Sequence, residues 1–176
     1  LGEVLEAISL LAETEPVTPA DLRAANLAAW FHDAVHSSGR RHDAPAPEAA
    51  ESDEEASAAL ARLLLTGLAP PDLLGHVERL VLMTATHAPA PEDRAAALLS
   101  DADLAVLGSP AARYADYAAG IRVEYAHVPQ QAFRTGRAAI LEKLLDGPLY
   151  LTPTGRALWE DRARANLRAE VGRLRG

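Results

Sequence analysis

The sequence contains no cysteine, which excludes a disulfide-stapled scaffold and any thiolate metal site. Aromatic side chains are scarce, at 5% of 176 residues, so a core has to be assembled from leucine, valine and alanine. No apolar run approaches the roughly 20 residues that a membrane-spanning helix requires. No signal-peptide pattern opens the chain either, and a cytoplasmic location with no membrane contact is the expectation. Positive charge is in deficit: 17 Lys and Arg against 25 Asp and Glu leave a net charge of −8. Such a surface repels the backbone of a nucleic acid unless its basic residues are segregated, which disfavours a nucleic-acid partner. Segregation is partial. Arg156, Arg162, Arg164, Arg168, Arg173 and Arg175 crowd the last stretch, where Glu160, Asp161 and Glu170 can balance them on a solvated helix face.

What is abundant points to helices. Apolar residues make up 49% of the chain, with alanine and leucine prominent, and both lose little side-chain entropy in a helix. The length suits one compact domain with its own core. Leu1, Val4, Leu5, Ile8 and Leu11 follow helical spacing from the first position, so a segment is expected upstream of Leu1. Thr18-Pro19 with Asp21 predicts the start of a second helix, whose stripe runs through Leu22, Ala25, Ala29, His32 and His36. The interval 38–51, rich in Ala, Pro, Ser and charge, reads as a mobile loop. Ser52 and Glu55 form a capping box ahead of a helix with an expected buried face of Ala56, Ala59, Leu60, Leu63 and Leu64.

Pro70-Pro71 opens a fourth helix carrying Leu73, Val77, Leu80, Val81 and Thr84 towards His87. A fifth opens near Pro91 and places Leu99, Asp103 and Val106 on one stripe. Pro110, Pro129 and Pro153 introduce three more, with Gly147 at the end of the seventh and Thr152-Pro153 at the start of the last. No alternating strand pattern and no repeat interrupts this series. The expected architecture is all-α, a single-domain helical bundle.

Three polar residues fall where the helical pattern asks for apolar ones: His32 and Asp33 in Ala-Ala-Trp-Phe-His-Asp-Ala-Val, and Asp103 in Ser-Asp-Ala-Asp-Leu-Ala-Val-Leu. A carboxylate taken out of water must be paired, hydrogen-bonded or bound to a metal, and neither stretch holds a Lys or Arg. A divalent cation would compensate both carboxylates together while a neutral imidazole supplied a nitrogen. The alternatives are a hydrogen-bonded core histidine, and an Asp103 that stands behind the ligands or faces outward.

Ala29-Trp30-Phe31-His32-Asp33-Ala34-Val35 resembles the central motif of the HD superfamily, and within it a branch of predicted HD phosphohydrolases. The likeness continues through Asp53-Glu54-Glu55-Ala56-Ser57-Ala58, Ala85-Thr86-His87 and Asp101-Ala102-Asp103-Leu104-Ala105-Val106-Leu107-Gly108. It extends through Ile121-Arg122-Val123-Glu124-Tyr125, Phe133-Arg134-Thr135-Gly136-Arg137 and Ala163-Arg164-Ala165-Asn166-Leu167. The order and spacing of these blocks span nearly the whole chain, and they imply a single HD-type domain over 1–176. The superfamily pattern is an upstream His, the His-Asp pair and a later Asp on one metal. It maps here to His32, Asp33 and Asp103, with Asp101 as the fallback. The upstream His is absent from these residues, and the resemblance places it just ahead of Leu1. Asp53 stands where some relatives carry His, which favours one divalent ion (Mn, Fe, Zn, Ni or Mg) over two.

The implied reaction is hydrolysis of a nucleotide or other small phosphorylated substrate by metal-activated water. Asp33 would hold the metal and orient the water, and Glu54 or Asp53 would carry a proton, unless these acids only favour the helix N-terminus. His87 would contact the phosphate or a neighbouring group, a core or cap role being the alternative. Arg40 and Arg41 are either a phosphate clamp or two solvated loop residues, and Arg122 and Arg137 match family blocks that structural ion pairs explain equally well. A different class of function remains open: a non-catalytic HD module binding a nucleotide or a partner protein, with a purely structural bundle as a third reading. The apolar, arginine-rich last helix offers a face for a homodimer.

Overall fold

The computed structural model describes residues 1–36 and 52–176. The segment expected as a mobile loop, with Arg40, Arg41 and His42, lies outside the described residues. Among the described residues the chain is all-α; its only strand-like feature is an isolated bridge between Thr66 and Ala69. No helix among them is long and apolar enough to cross a membrane. The chain forms two compact units, Leu1–Asp103 and Leu104–Gly176.

The first unit contains α1 (Gly2–Ala12), α2 (Pro19–Phe31), α3 (Asp53–Leu65), α4 (Pro71–Met83) and α5 (Arg94–Asp103). Its centre is α2, which packs against each of the other four. Sequence explains why: Ala24, Ala25, Ala28 and Ala29 are all buried, and methyl side chains let neighbouring helices approach closely. The space around them is filled by Ile8, Leu11, Val77, Leu80, Val81, Leu98 and Leu99, none of which is exposed. Each such aliphatic side chain contributes roughly 1.5–3 kcal/mol of burial. Thr18 caps α2 as expected, its Oγ1 accepting from the Asp21 amide at 3.1 Å while the Asp21 carboxylate accepts from the Thr18 amide at 3.2 Å. Ser52 and Glu55 form the expected reciprocal box on α3.

Three expectations need correction here. The buried residues of α3 are Ser57, Ala58 and Ala61, whereas Leu63 and Leu64 are 73% and 52% exposed. The face is rotated because α3 packs chiefly on α4 through small side chains, and because the buried Ser57 hydroxyl finds its partner in the Val35 backbone. Helix α2 ends at Phe31, so His36 does not continue its stripe. Helix α5 begins at Arg94, not at Pro91, because the Asp93 carboxylate caps it by accepting from the Ala96 amide at 3.0 Å.

The second unit opens with a 3-10 segment (Leu104–Gly108) and continues through α6 (Ala111–Glu124) and α7 (Gln130–Leu145). A short α8 (Pro153–Gly155) then runs through a π-helical stretch (Arg156–Glu160) into α9 (Asp161–Arg175). Helix α9 packs on α7 and on the 3-10 segment. Gly108 lets the 3-10 segment also approach the π-helical stretch: a Cβ there would lie 2.5 Å from Trp159 Cβ and 2.9 Å from Trp159 Cα. Of the arginines expected on a solvated face, Arg156, Arg162, Arg168, Arg173 and Arg175 are exposed and Arg164 is half-buried, and three of them also close backbone ends. Arg162 donates to Gly108 O at 2.8 Å, Arg156 to Tyr150 O at 2.8 Å, and Arg164 to Leu145 O at 3.1 Å and the Glu160 carboxylate at 2.7 Å.

Arg122 donates to Tyr125 O at 2.7 Å and Val128 O at 3.2 Å and lies over the Phe133 ring. Arg137 donates to Glu170 Oε1 at 2.9 Å, and the Tyr114 hydroxyl donates to the other oxygen of the same buried carboxylate. Burial and the Glu170 carboxylate together push the Tyr114 pKa up. Burial acts against the Arg137 cation, yet its hydrogen bond to Glu170 holds the pKa above the ordinary value. Of the two options left open for Arg122 and Arg137, these contacts support the structural one.

Candidate metal centre

The end of α2 supplies the nitrogen. His32 is the C-cap residue, its amide donating to Ala28 O at 2.9 Å, and its ring is buried. Its Nδ1 lies 2.8 Å from Ala29 O. A carbonyl oxygen only accepts, so Nδ1 carries a proton and, in the neutral ring, Nε2 presents a lone pair. That Nε2 faces Asp103 Oδ1 at 3.2 Å and Asp33 Oδ2 at 3.4 Å. One ligand atom from each of the three residues lies within 4.8 Å of the others.

The three residues come from two chain segments that helix packing joins: the turn after α2 and the last residue of α5. Their exposures differ. His32 is buried and the Asp103 side chain is 23% exposed, but that of Asp33 is 76% exposed. The expectation that both carboxylates are taken out of water is therefore corrected for Asp33, because α2 has already ended and the residue sits in a turn. Burial disfavours the His32 cation, but the hydrogen bond and charge of Asp103, with the charge of Asp33, outweigh it and raise the pKa above 6.5. A cationic occupant therefore suits the space between these side chains. One imidazole nitrogen and two carboxylates make a donor set for a divalent metal ion, and the centre is capable of holding one.

Other expected residues fall around this cluster unevenly. Asp101, the fallback ligand, is fully buried and is not one of the three. His87 ends the turn after α4 with its Nε2 3.5 Å from Asp103 Oδ2 and its Nδ1 3.0 Å from Ser100 Oγ. Burial lowers its pKa, with His32 adding to that effect while the charges of Asp103, Asp33 and Glu54 oppose it. Glu54 is therefore close enough to bear on His87, and it takes no part in the capping box. Asp53 faces His36 at 3.6 Å. His127 stacks on Tyr125 in the second unit.

Sequence reasoning assigned no role to two serines. Ser57 on α3 is fully buried and holds Val35 from both sides, its Oγ accepting from the Val35 amide at 3.0 Å and donating to Val35 O at 3.3 Å. This clamp fixes the turn that presents His32 and Asp33. Ser100 on α5 is buried behind His87. The available signal was a serine at a core position of an alanine-rich helix, where a hydroxyl needs a partner. Comparisons with protein-family models, curated proteins and solved structures gave no match.

Proposed function

We propose that this chain is an HD-type, metal-dependent phosphohydrolase that cleaves a nucleotide or another small phosphoester or phosphoanhydride. The observation that carries this reading is the convergence of His32, Asp33 and Asp103 at the places where the sequence resembles the HD pattern. In this reading one divalent ion (Mn, Fe, Zn, Ni or Mg) is held by those three residues. Such an ion supplies Lewis acidity to a phosphoryl oxygen and lowers the pKa of water towards neutrality. Three protein ligands leave coordination positions for water and substrate, as catalytic sites do and closed structural sites do not.

The chain's own groups have distinct tasks. His32, tied to Ala29 O, offers Nε2 without reorganisation. Asp33, the exposed member, reaches solvent and orients the attacking water. Glu54 carries a proton between the site and solvent, and His87, kept neutral by its lowered pKa, supports Asp103 from behind.

The test is metal content and hydrolysis of generic phosphoesters and nucleotides by wild type and Asp33→Ala. Stoichiometric divalent metal with turnover is expected, and removing a ligand should lower both by at least about 10–100-fold. Metal without turnover of any substrate would reassign the chain to a binding module. No metal in a normally folded wild type would sink the proposal.

A further inference from the structure

Ser100 precedes Asp103 by three residues on α5, so both side chains lie on one face of that helix. The two oxygens of Asp103 are divided between two rings: Oδ1 faces His32 Nε2 at 3.2 Å and Oδ2 faces His87 Nε2 at 3.5 Å. A carboxylate oxygen only accepts, so the proton of a neutral His87 ring belongs on Nε2. Its Nδ1 is then an acceptor, and the group in front of it, 3.0 Å away, is the fully buried Ser100 hydroxyl, which can rotate to donate.

The backbone gives an independent reason to regard this ring as placed for a purpose. His87 has φ 51°, in the left-handed region where glycine is at ease and a side chain costs about 1 kcal/mol. Its amide donates to Met83 O at 3.0 Å, the closing bond of the turn after α4, which glycine would satisfy equally well. What the imidazole adds at that position is a hydrogen bond to Ser100 and a ring nitrogen 3.5 Å from Asp103 Oδ2.

We propose that Ser100 is a positioning residue: its hydroxyl fixes His87 as the Nε2–H tautomer, and that ring holds Asp103 Oδ2 so that Oδ1 is turned towards His32. The consequence for metal affinity rests on the proposed metal reading of the centre; the tautomer does not. Groups that orient a ligating carboxylate from behind change metal affinity about 10–100-fold when removed.

The experiment uses the full chain as wild type, Ser100→Ala, His87→Gln and His87→Ala. Nitrogen-15 NMR of the metal-free proteins at mildly alkaline pH reads the ring tautomer, and Mn2+ titration followed by EPR reads affinity. Wild type should show His87 as a single Nε2–H tautomer, and Ser100→Ala a mixture with Mn2+ affinity reduced about tenfold or more. His87→Gln can accept from Ser100 through Oε1 and donate to Asp103 through Nε2, so it should bind Mn2+ nearer to wild type than His87→Ala does. The His87 pair keeps the test decisive if Ser100→Ala also lowers the melting temperature. A wild-type Nδ1–H tautomer, an unchanged tautomer in Ser100→Ala, or equal weakness of the two His87 variants would overturn the proposal. A wild type that binds no Mn2+ would overturn the metal reading, while the tautomer in the same samples still decides the role of Ser100.

Discussion

Ser57→Ala removes one oxygen atom and two hydrogen bonds, both of which end on Val35. The 3.0 Å bond from the Val35 amide and the longer 3.3 Å bond to its carbonyl are each worth about 0.5–1.5 kcal/mol net. Alanine keeps the Cβ and leaves a void smaller than a methyl group, so little cavity cost is added. Its better helix propensity returns a few tenths of a kcal/mol. The expected loss is about 1–2 kcal/mol, read from urea unfolding with an unchanged slope. For one cooperative transition of this length, the melting temperature should fall by about 2–4 °C per kcal/mol. Because the clamp lies just past His32 and Asp33, metal affinity should fall more than in an equally destabilised variant of the second unit. A loss below about 0.5 kcal/mol, the range of ordinary surface substitutions, would refute the clamp.

Glu170→Ala should cost about 3–5 kcal/mol, because it strands the Arg137 guanidinium and the Tyr114 hydroxyl on their buried partner's vacated place. Glu170→Gln, which keeps an acceptor, should cost less, and equal unfolding midpoints for the two variants would contradict the charge-based reasoning. The raised pKa of His32 gives a signed dependence on pH in metal-free protein. Its stabilising contribution is fully present below the unfolded value of 6.5 and is lost as pH rises through the folded pKa. The stability gap between wild type and His32→Gln in chelator should therefore shrink with rising pH. Mn2+ affinity should climb over the same range, since the metal must displace that proton. A stability gap independent of pH would refute the first claim, and a pH-independent affinity the second.

The helical class and much of the segmentation were legible because their causes are local. Thr18, Ser52 and Thr152 accept hydrogen bonds from amides three residues on, and prolines at 71 and 153 start helices. Ala24, Ala25, Ala28 and Ala29 predict a helix that neighbours can approach closely, whatever those neighbours are. His32, Asp33 and Asp103 also stood out, since polar residues in apolar stripes are visible in one dimension.

The tertiary structure decided which polar groups meet and which way each faces. Periodicity placed the buried face of α3 on Leu63 and Leu64; packing on α4 and the bond to Val35 placed it on Ser57, Ala58 and Ala61. A carboxylate's surroundings depend on where its helix stops, so Asp33 is exposed although the sequence suggested burial. The sequence showed the exposure of the C-terminal arginines but not the acceptors of Arg156, Arg162 and Arg164, because the carbonyls of Tyr150, Gly108 and Leu145 carry no signature in the sequence. Every residue has a carbonyl, and only the fold determines which of them are left without a helical partner. For the same reason Ser100 gains its role only when His87 and Asp103, 13 residues away along the chain and three along the helix, are brought to one point.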